Sequence, residues 1–447
     1  MMVTNKTDER LQRRYARFQK KVGEEYQLEE ALLKDRLDYF PVYDYFLQMA
    51  GQPFTAEALQ ERTGRRLAGL FCIQAPLELF LAFDLQPVRL CGGYQTAQQV
   101  LASNLPVLMC PMLKSFMGNF TLYNNSFQDF QLVVLPTTCD WVVKLPEIMG
   151  QSEDKLYYLE LPHVKDTEKS QRRWLEETVE LKRILEKSTG QKLNRKKLMA
   201  ATAEITEVWA RLDELNKLKG EGILSSVWYM LIANAFLQDK ISVWLEKTAE
   251  VIQAVCTRRT IEERAKAGSS SNHETDKSVG RTAETALSKE TPAQDSATVP
   301  AVFMAGSPVT FPNFKLPELV EQAGMHIAAD DLCSSERIVP GGVVYSDTSE
   351  AGILRALAER YHKACICPTF VDNDRRINNI LQVAEKYKIK GVIYNLLKGC
   401  HPYDIEAITI EKKLKENGLK FIKIETDYGR EDSQNILTRL EAFKQTL

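Results

Sequence analysis

Nine cysteines are the residues in this 447-residue sequence with the clearest chemical potential: Cys72, Cys91, Cys110, Cys139, Cys256, Cys333, Cys365, Cys367 and Cys400. None forms a CxxC pair, so a local zinc knuckle or ferredoxin-type run is absent. Under reducing conditions such thiols serve as small buried hydrophobes, metal ligands or catalytic nucleophiles. A metal site here would have to be assembled from distant segments. Six of the nine fall at or just past expected strand carboxyl ends: Cys72, Cys91, Cys110, Cys139, Cys333 and Cys400. Functional groups of open α/β sheets gather there. A shared metal or cluster site and a set of unrelated buried thiols both fit this pattern. Cys365 and Cys367 alternate in the apolar stretch ACICP and read as buried structural thiols on one strand face. Cys256 reads as a structural thiol in a helix.

The elements that must position these residues follow from apolar periodicity. The first fifty residues read as a charged helical extension, closed by a short linker with Gly51 and Pro53. Short apolar runs then alternate with helices: strands at 67–72, 87–91, 132–135 and 157–161, with helices at 75–83 and 96–103. That rhythm is the mark of a parallel sheet. Residues 166–265 read as helical, with Leu198, Ala201, Ile205, Val208, Leu212 and Leu215 on one buried face. The stretch 266–299 carries no aromatic residue and reads as a disordered linker with His273 exposed. From 300 the rhythm returns, with strands at AVFMAG, MHIAADD, GVIYNLL and FIKIET and helices at 351–362, 376–387, 404–416 and 431–445. The expected fold is therefore α/β, with two parallel-sheet, Rossmann- or flavodoxin-like domains (51–165 and 300–447), a helical layer and a helical amino-terminal extension over 1–50.

Bulk properties point to no polyanion or membrane partner. Basic residues number 58 and acidic residues 60, for a formal charge of -2, so a nucleic-acid partner is not expected. No apolar run reaches the roughly 20 residues of a membrane span. The charged start MMVTNKTDERLQRRYARFQKK lacks the apolar core of a secretory signal, and a cytoplasmic location is expected.

Six segments carry a family resemblance: FCIQAPLELFLAFDLQPVRLCGG, LMCPMLKSFMG, LPTTCD, ADDLCSSER, NLLKGCHPYD and IKIETDYGREDSQNILTRLEAF. In content and order they resemble the 2-hydroxyacyl-CoA dehydratase and benzoyl-CoA reductase family over about residues 67–445. The resemblance implies α/β domains holding [4Fe–4S] chemistry between them. It also implies a separate ATP-dependent iron–sulfur reductase activator that delivers one low-potential electron to this chain, the acceptor. The chain itself shows neither a G-x-x-x-x-G-K-[ST] loop nor a G-x-G-x-x-G turn. Family ligands map onto Cys110, Cys139 and Cys400; Cys72, Cys91 and Cys333 lie in family-like segments. Double-cubane cluster proteins of the same family hold an [8Fe–9S] group with six cysteines, so a double cubane and a single cubane both stand as expectations. The corresponding functions are a cluster-bearing reductase of a small substrate and a 2-hydroxyacyl-CoA dehydratase or benzoyl-CoA reductase subunit. KGCHP and TTCDWVVKL depart from the dehydratase pattern and bear on acyl-CoA specificity. A noncatalytic partner subunit is a further reading, and a homodimer or a heterodimer with a homologous subunit is implied.

Candidate catalytic residues are His401, which could relay a proton beside Cys400, Ser307, placed to hold a substrate carbonyl, and Lys114, able to balance anionic charge. Each has a plainer alternative: a loop histidine, a tight turn and a solvated lysine. Asp330 and Asp331 read as caps before acid–base groups, and Glu425 and Asp427 as charged loop residues. A zinc or purely structural role for the cysteines is the remaining alternative.

Overall fold

The computed structural model describes residues 2–150, 153–269, 299–339, 341–364 and 366–447. The segment 270–298, with His273 and most of the expected linker, lies outside the described residues, as does Cys365. Among the described residues, eight strands form two sheets. In the first, β1 (Arg66–Leu70), β2 (Leu85–Arg89), β3 (Phe130–Pro136) and β4 (Leu156–Leu159) lie in the order β2-β1-β3-β4. In the second, β5 (Ala301–Gly306), β6 (His326–Asp330), β7 (Gly391–Leu397) and β8 (Lys420–Thr426) repeat it as β6-β5-β7-β8. Every pairing is parallel. This order matches the start of a flavodoxin-like sheet and puts a switch point between β1 and β3 and again between β5 and β7.

Both faces of each sheet are covered, which is why the strands read as short apolar runs. Along β1, Ala68 and Leu70 enter one core cluster and Leu67 another; along β5, Val302 and Met304 enter the first and Phe303 and Ala305 a third. The first cluster is common to both sheets. It runs through the helices Glu168–Thr189, Arg195–Gly220, Ser226–Ala235 and Ile241–Ser269, using Leu198, Ile205, Val208 and Leu212 on the apolar face read from sequence. The two sheets are thus joined by one shared layer.

The amino-terminal helix Met2–Arg36 is a second tie. Glu25 accepts from the amides of Gln95 (2.6 Å) and Thr96 (2.9 Å) in the first half. Glu29 pairs with Arg430 in the second, where Arg430 also meets Glu318 at 3.3 Å. Gly51 closes the next helix, Tyr43–Gly51, rather than opening a linker.

Two further expectations are corrected, and three helices stand where none was expected. The helix expected at 96–103 is only Gln95–Gln98. The helices Pro111–Leu122, Asp140–Ile148 and Lys315–Gln322 carry no sequence signal, since each contains or begins with proline and the first and last are buried nearly all round. Cys367 lies in a loop, not a strand, because a proline follows it and its carbonyl closes a turn by accepting from Phe370 at 3.2 Å.

Asp330 and Asp331, at the end of β6, anchor buried ion pairs. Lys219 Nζ donates to Asp330 Oδ2 (2.8 Å) and to Glu336 Oε1 (2.5 Å), with Lys219 fully buried. Asp331 meets Arg376, which also meets Glu406. Burial lifts Glu336 from its ordinary 4.5 to about 7 despite the lysine. Such a carboxyl retains a proton that the unfolded chain releases, so its contribution to stability falls as pH rises from about 4.5 to about 7. Lys219→Met, which leaves two carboxylates without their cation, should lower the unfolding free energy by about 3–5 kcal/mol at pH 8. The loss should be smaller at pH 5, where a protonated Glu336 needs no counter-charge; urea titrations at the two pH values measure both.

Candidate functional site

Three of the thiols stand at helix starts. Cys110 is the N-cap of Pro111–Leu122, Cys139 of Asp140–Ile148 and Cys400 of His401–Glu416. Proline at the first helical position suits the first of these, where no amide partner is needed. The N2 and N3 amides face each sulfur at long range, short of a full capping hydrogen bond: Met112 and Leu113 for Cys110, Trp141 and Val142 for Cys139. Tyr403 N–H does the same for Cys400. Amides and helix dipole together favour a thiolate. Cys110 follows β2 only after a long loop, so it owes its place to its helix rather than to a strand end.

These three sulfurs converge. The side chains of Cys110 and Cys400 interact, which lowers the thiol of Cys110 and raises that of Cys400. Cys139 is close enough to feel Cys400 electrostatically, and burial raises its thiol. Gly399 makes the approach feasible. At φ +79° its missing Cβ would stand 1.9 Å from the carbonyl oxygen of Leu108, two residues before Cys110. Ser307 supports the same corner: it is fully buried, accepts from the Leu397 amide at 3.1 Å, and its hydroxyl lowers the Cys400 thiol.

Cys72, Cys91 and Cys333 form a second group around Arg89. Cys72 and Cys91 follow β1 and β2, and Cys333 follows β6 in the other sheet. Arg89, the last residue of β2, donates to the carbonyl of Cys72 and to that of Ile338 (3.5 Å), and its charge acts on all three sulfurs. Burial pushes the Cys91 thiol up to about 12, with Cys333 adding to the rise and Arg89 opposing it. Cys333 is also raised by burial, while Arg337 and Arg89 pull it down. All three line a cavity of about 140 Å³ with Arg89, Phe71 and Thr310.

The two groups adjoin. Cys333 feels Cys400, and the buried phenol of Tyr428 lies within electrostatic reach of Cys110, Cys91 and Cys400. Tyr428 Oη donates to the Gly92 carbonyl at 2.7 Å, joining the halves. Gly93 makes the same junction: a Cβ there would stand 2.2 Å from the carbonyl oxygen of Phe311. Among the described residues, no three His, Cys, Asp or Glu side chains converge as a single ion requires. Bonds of about 2.3 Å to one ion would demand sulfurs under about 4 Å apart.

The remaining candidates fall as follows. Cys367 is half-buried and adds its field, with Cys333, to Tyr403. Cys256 is exposed on its helix, which corrects the structural reading. His401 is exposed at a helix start and Glu425 is exposed on β8. Lys114 Nζ donates to the Val107 carbonyl at 2.6 Å, bracing the loop before Cys110, and feels that thiol. Buried Ser307 is closed to a substrate carbonyl. Asp427 receives Lys398 (3.0 Å) and the Gly429 amide (3.0 Å), shaping the turn that presents Tyr428. Residues missed in the sequence are Arg89, Arg337, Tyr403, Tyr428 and Gly399. Only Arg89 left a signal, a cation ending an apolar strand two residues before a cysteine.

Comparisons with known proteins match most of the chain. A family model described as 2-hydroxyglutaryl-CoA dehydratase, D-component, matches residues 72–447. A protein of Escherichia coli (strain K12) named as a dehydratase subunit, YjiM, is 25% identical over 417 residues, covering 91% of this chain and 98% of the relative. The (R)-phenyllactyl-CoA dehydratase beta subunit of Clostridium sporogenes is 20% identical over 394 residues, covering 87% and 93%. The matched span includes Cys72 and every other cysteine.

The contact between Cys110 and Cys400 has a direct chemical consequence. In reduced, metal-free protein, diamide should link these two first, losing two thiol hydrogens to form one disulfide. Gly399→Ala should slow that reaction at least severalfold by driving the Leu108 loop away. Peptide mapping by mass spectrometry reads the pairing.

Proposed function

The chain belongs to the 2-hydroxyglutaryl-CoA dehydratase D-component family, and from that membership we propose that it is an iron–sulfur electron acceptor with a cubane-type group at the cleft between its sheets. The reading that fits best is the double-cubane type, with Cys110, Cys139 and Cys400 holding one half and Cys72, Cys91 and Cys333 the other. The observation that carries it is the convergence of six thiols, drawn from both sheets, as two adjoining trios.

The donor set suits such a group. Thiolates are its ordinary ligands, and the six thiols lie on loops that follow strands or open helices of both sheets. When bound, the group supplies low-potential, one-electron transfer to a small substrate. The chain's own residues do the rest. Helix N-termini and Arg89 favour anionic sulfur, the Ser307 hydroxyl orients Cys400, and Phe71, Phe116 and Phe120 exclude water from one side. With no phosphate-binding loop of its own, the chain would take electrons from a separate ATP-dependent iron–sulfur activator, in the reducing cytoplasm. Among the described residues, no helix is long and apolar enough to cross a membrane.

A second reading has its own support. The Clostridium sporogenes relative is a beta subunit of an acyl-CoA dehydratase, so this chain could pair with a homologous subunit in a 2-hydroxyacyl-CoA dehydratase carrying a single [4Fe–4S] group. Iron and sulfide analysis on anaerobically reconstituted protein separates the two. About eight irons per chain are expected for the double cubane, against about four for the single one. Cys139→Ser should remove about half of the eight. Protein that stays colourless and iron-free after reconstitution with ferrous iron and sulfide sinks both cluster readings.

A further inference from the structure

The two trios are stabilised by different physics. The sulfurs of Cys110, Cys139 and Cys400 are faced by backbone amides at three helix starts. Cys72, Cys91 and Cys333 are not helix N-caps among the described elements; what faces them is a guanidinium.

Arg89 is a half-buried cation in the wall of the cavity. Its Nε is sealed from solvent and has no hydrogen-bond partner. Among the described residues, no carboxylate forms an ion pair with it, whereas Arg360, Arg376 and Arg430 each have at least one. The anionisable groups that act on it most are Cys72, Tyr361, Cys91 and Cys333. A charge partly withdrawn from water without a counter-charge is costly. With its two carbonyl contacts, to Cys72 and Ile338, Arg89 is tethered in place but not neutralised. Arg89 lines one cavity with Cys72, Cys91 and Cys333, so an anionic group held there would lie against the guanidinium. Tyr361 is committed elsewhere, donating to Glu78 at 3.0 Å and accepting from the Leu77 amide at 3.0 Å.

We propose that Arg89 is a positioning residue of the second trio, a fixed counter-charge that helps make Cys72, Cys91 and Cys333 a seat for an anionic iron–sulfur group. This rests on the cluster reading above and goes beyond it by assigning the two halves unlike electrostatic support. The tethers to Cys72 and Ile338 hold the charge where the three chain segments meet. Losing the charge should therefore affect one half of the site and leave the other.

The test uses full-length protein reconstituted anaerobically with ferrous iron and sulfide. Arg89→Gln should lower bound iron about twofold, and adding Cys139→Ser should remove most of what remains. Arg89→Lys, which keeps the charge, should recover iron above the glutamine variant. Any iron held by Arg89→Gln at the second trio should titrate at a lower midpoint potential than in the parent, because reduction there would lose its compensating cation. The metal-free glutamine variant should melt no lower than the metal-free parent, since a partly buried charge has been removed. Unchanged iron and potentials in Arg89→Gln would overturn the assignment while leaving the cluster reading intact. Loss of all iron with a lowered melting temperature of the metal-free form would also overturn it, by making Arg89 a general folding residue. Parent protein that takes up no iron defeats both readings.

Discussion

The constraint on which the rest depends is that six cysteines from remote parts of the chain meet at one cleft between two sheets. A single sheet does not offer so many strand ends in one spot. Here β1, β2 and β3 deliver from one side and β6 and β7 from the other, so the cleft is built by facing two repeats of the same topology. Facing sheets are useful only when their separation is fixed. The shared helical layer and the amino-terminal helix supply that, the first by apolar burial common to both sheets, the second by Glu25 on one half and Glu29 on the other. Close approaches at Gly93 and Gly399 then set the junction at backbone contact, where a single Cβ would force the halves apart.

Around the thiols, polar groups are either satisfied by one another or aimed at sulfur. Asp330 and Asp331 have the types expected of acid–base chemistry, yet both are locked in buried ion pairs behind the Cys333 loop. Asp330 Oδ1 accepts from the Leu332 (3.1 Å) and Glu336 (3.3 Å) amides, and its Oδ2 from the Ser335 hydroxyl (2.8 Å). The network therefore fixes the path of the chain on either side of Cys333. Its role is to hold a loop that would otherwise be free at a strand end. Ser307 and Lys114 act in the same way on the loops of Cys400 and Cys110.

Much of the fold was legible because its strands are covered on both faces, and such strands are short apolar runs bounded by helices. All eight appear within a few residues of where periodicity puts them. The helices that carry Cys110 and Cys139 were not legible. Pro111–Leu122 is buried nearly all round and has no apolar stripe, and Asp140–Ile148 contains Pro146. The thiols themselves were visible as candidates, but their division into trios was not, since it depends on which loops cross the cleft. Cys333 leaves a strand of the second sheet and joins Cys72 and Cys91 of the first; Cys110 and Cys139 of the first join Cys400 of the second. No one-dimensional pattern encodes that exchange. The reading of Cys367 as a strand thiol failed for a related reason: alternation in ACICP is strand-like, but Pro368 ends any ladder there.

The exchange has an electrostatic logic. Each trio draws from both sheets, so neither half of the molecule holds a complete set of sulfurs, and cleft formation and site formation are one event. Concentrating thiols in a low-dielectric cleft raises their pKa values, as at Cys91, Cys139 and Cys333. Something must oppose that rise if they are to bind a metal as thiolates. At one trio the opposition comes from amide dipoles, which are weak singly and fixed by the backbone. At the other it comes from whole charges on Arg89 and Arg337, whose side chains are held by carbonyls and, for Arg337, the Tyr403 hydroxyl at 3.1 Å. Dipoles stabilise a thiolate without adding net charge, whereas guanidinium groups offset charge one for one. Two sulfur groups of similar composition would therefore differ in how strongly each accepts an electron, and that difference is written into side chains and helix starts, not into the ligands.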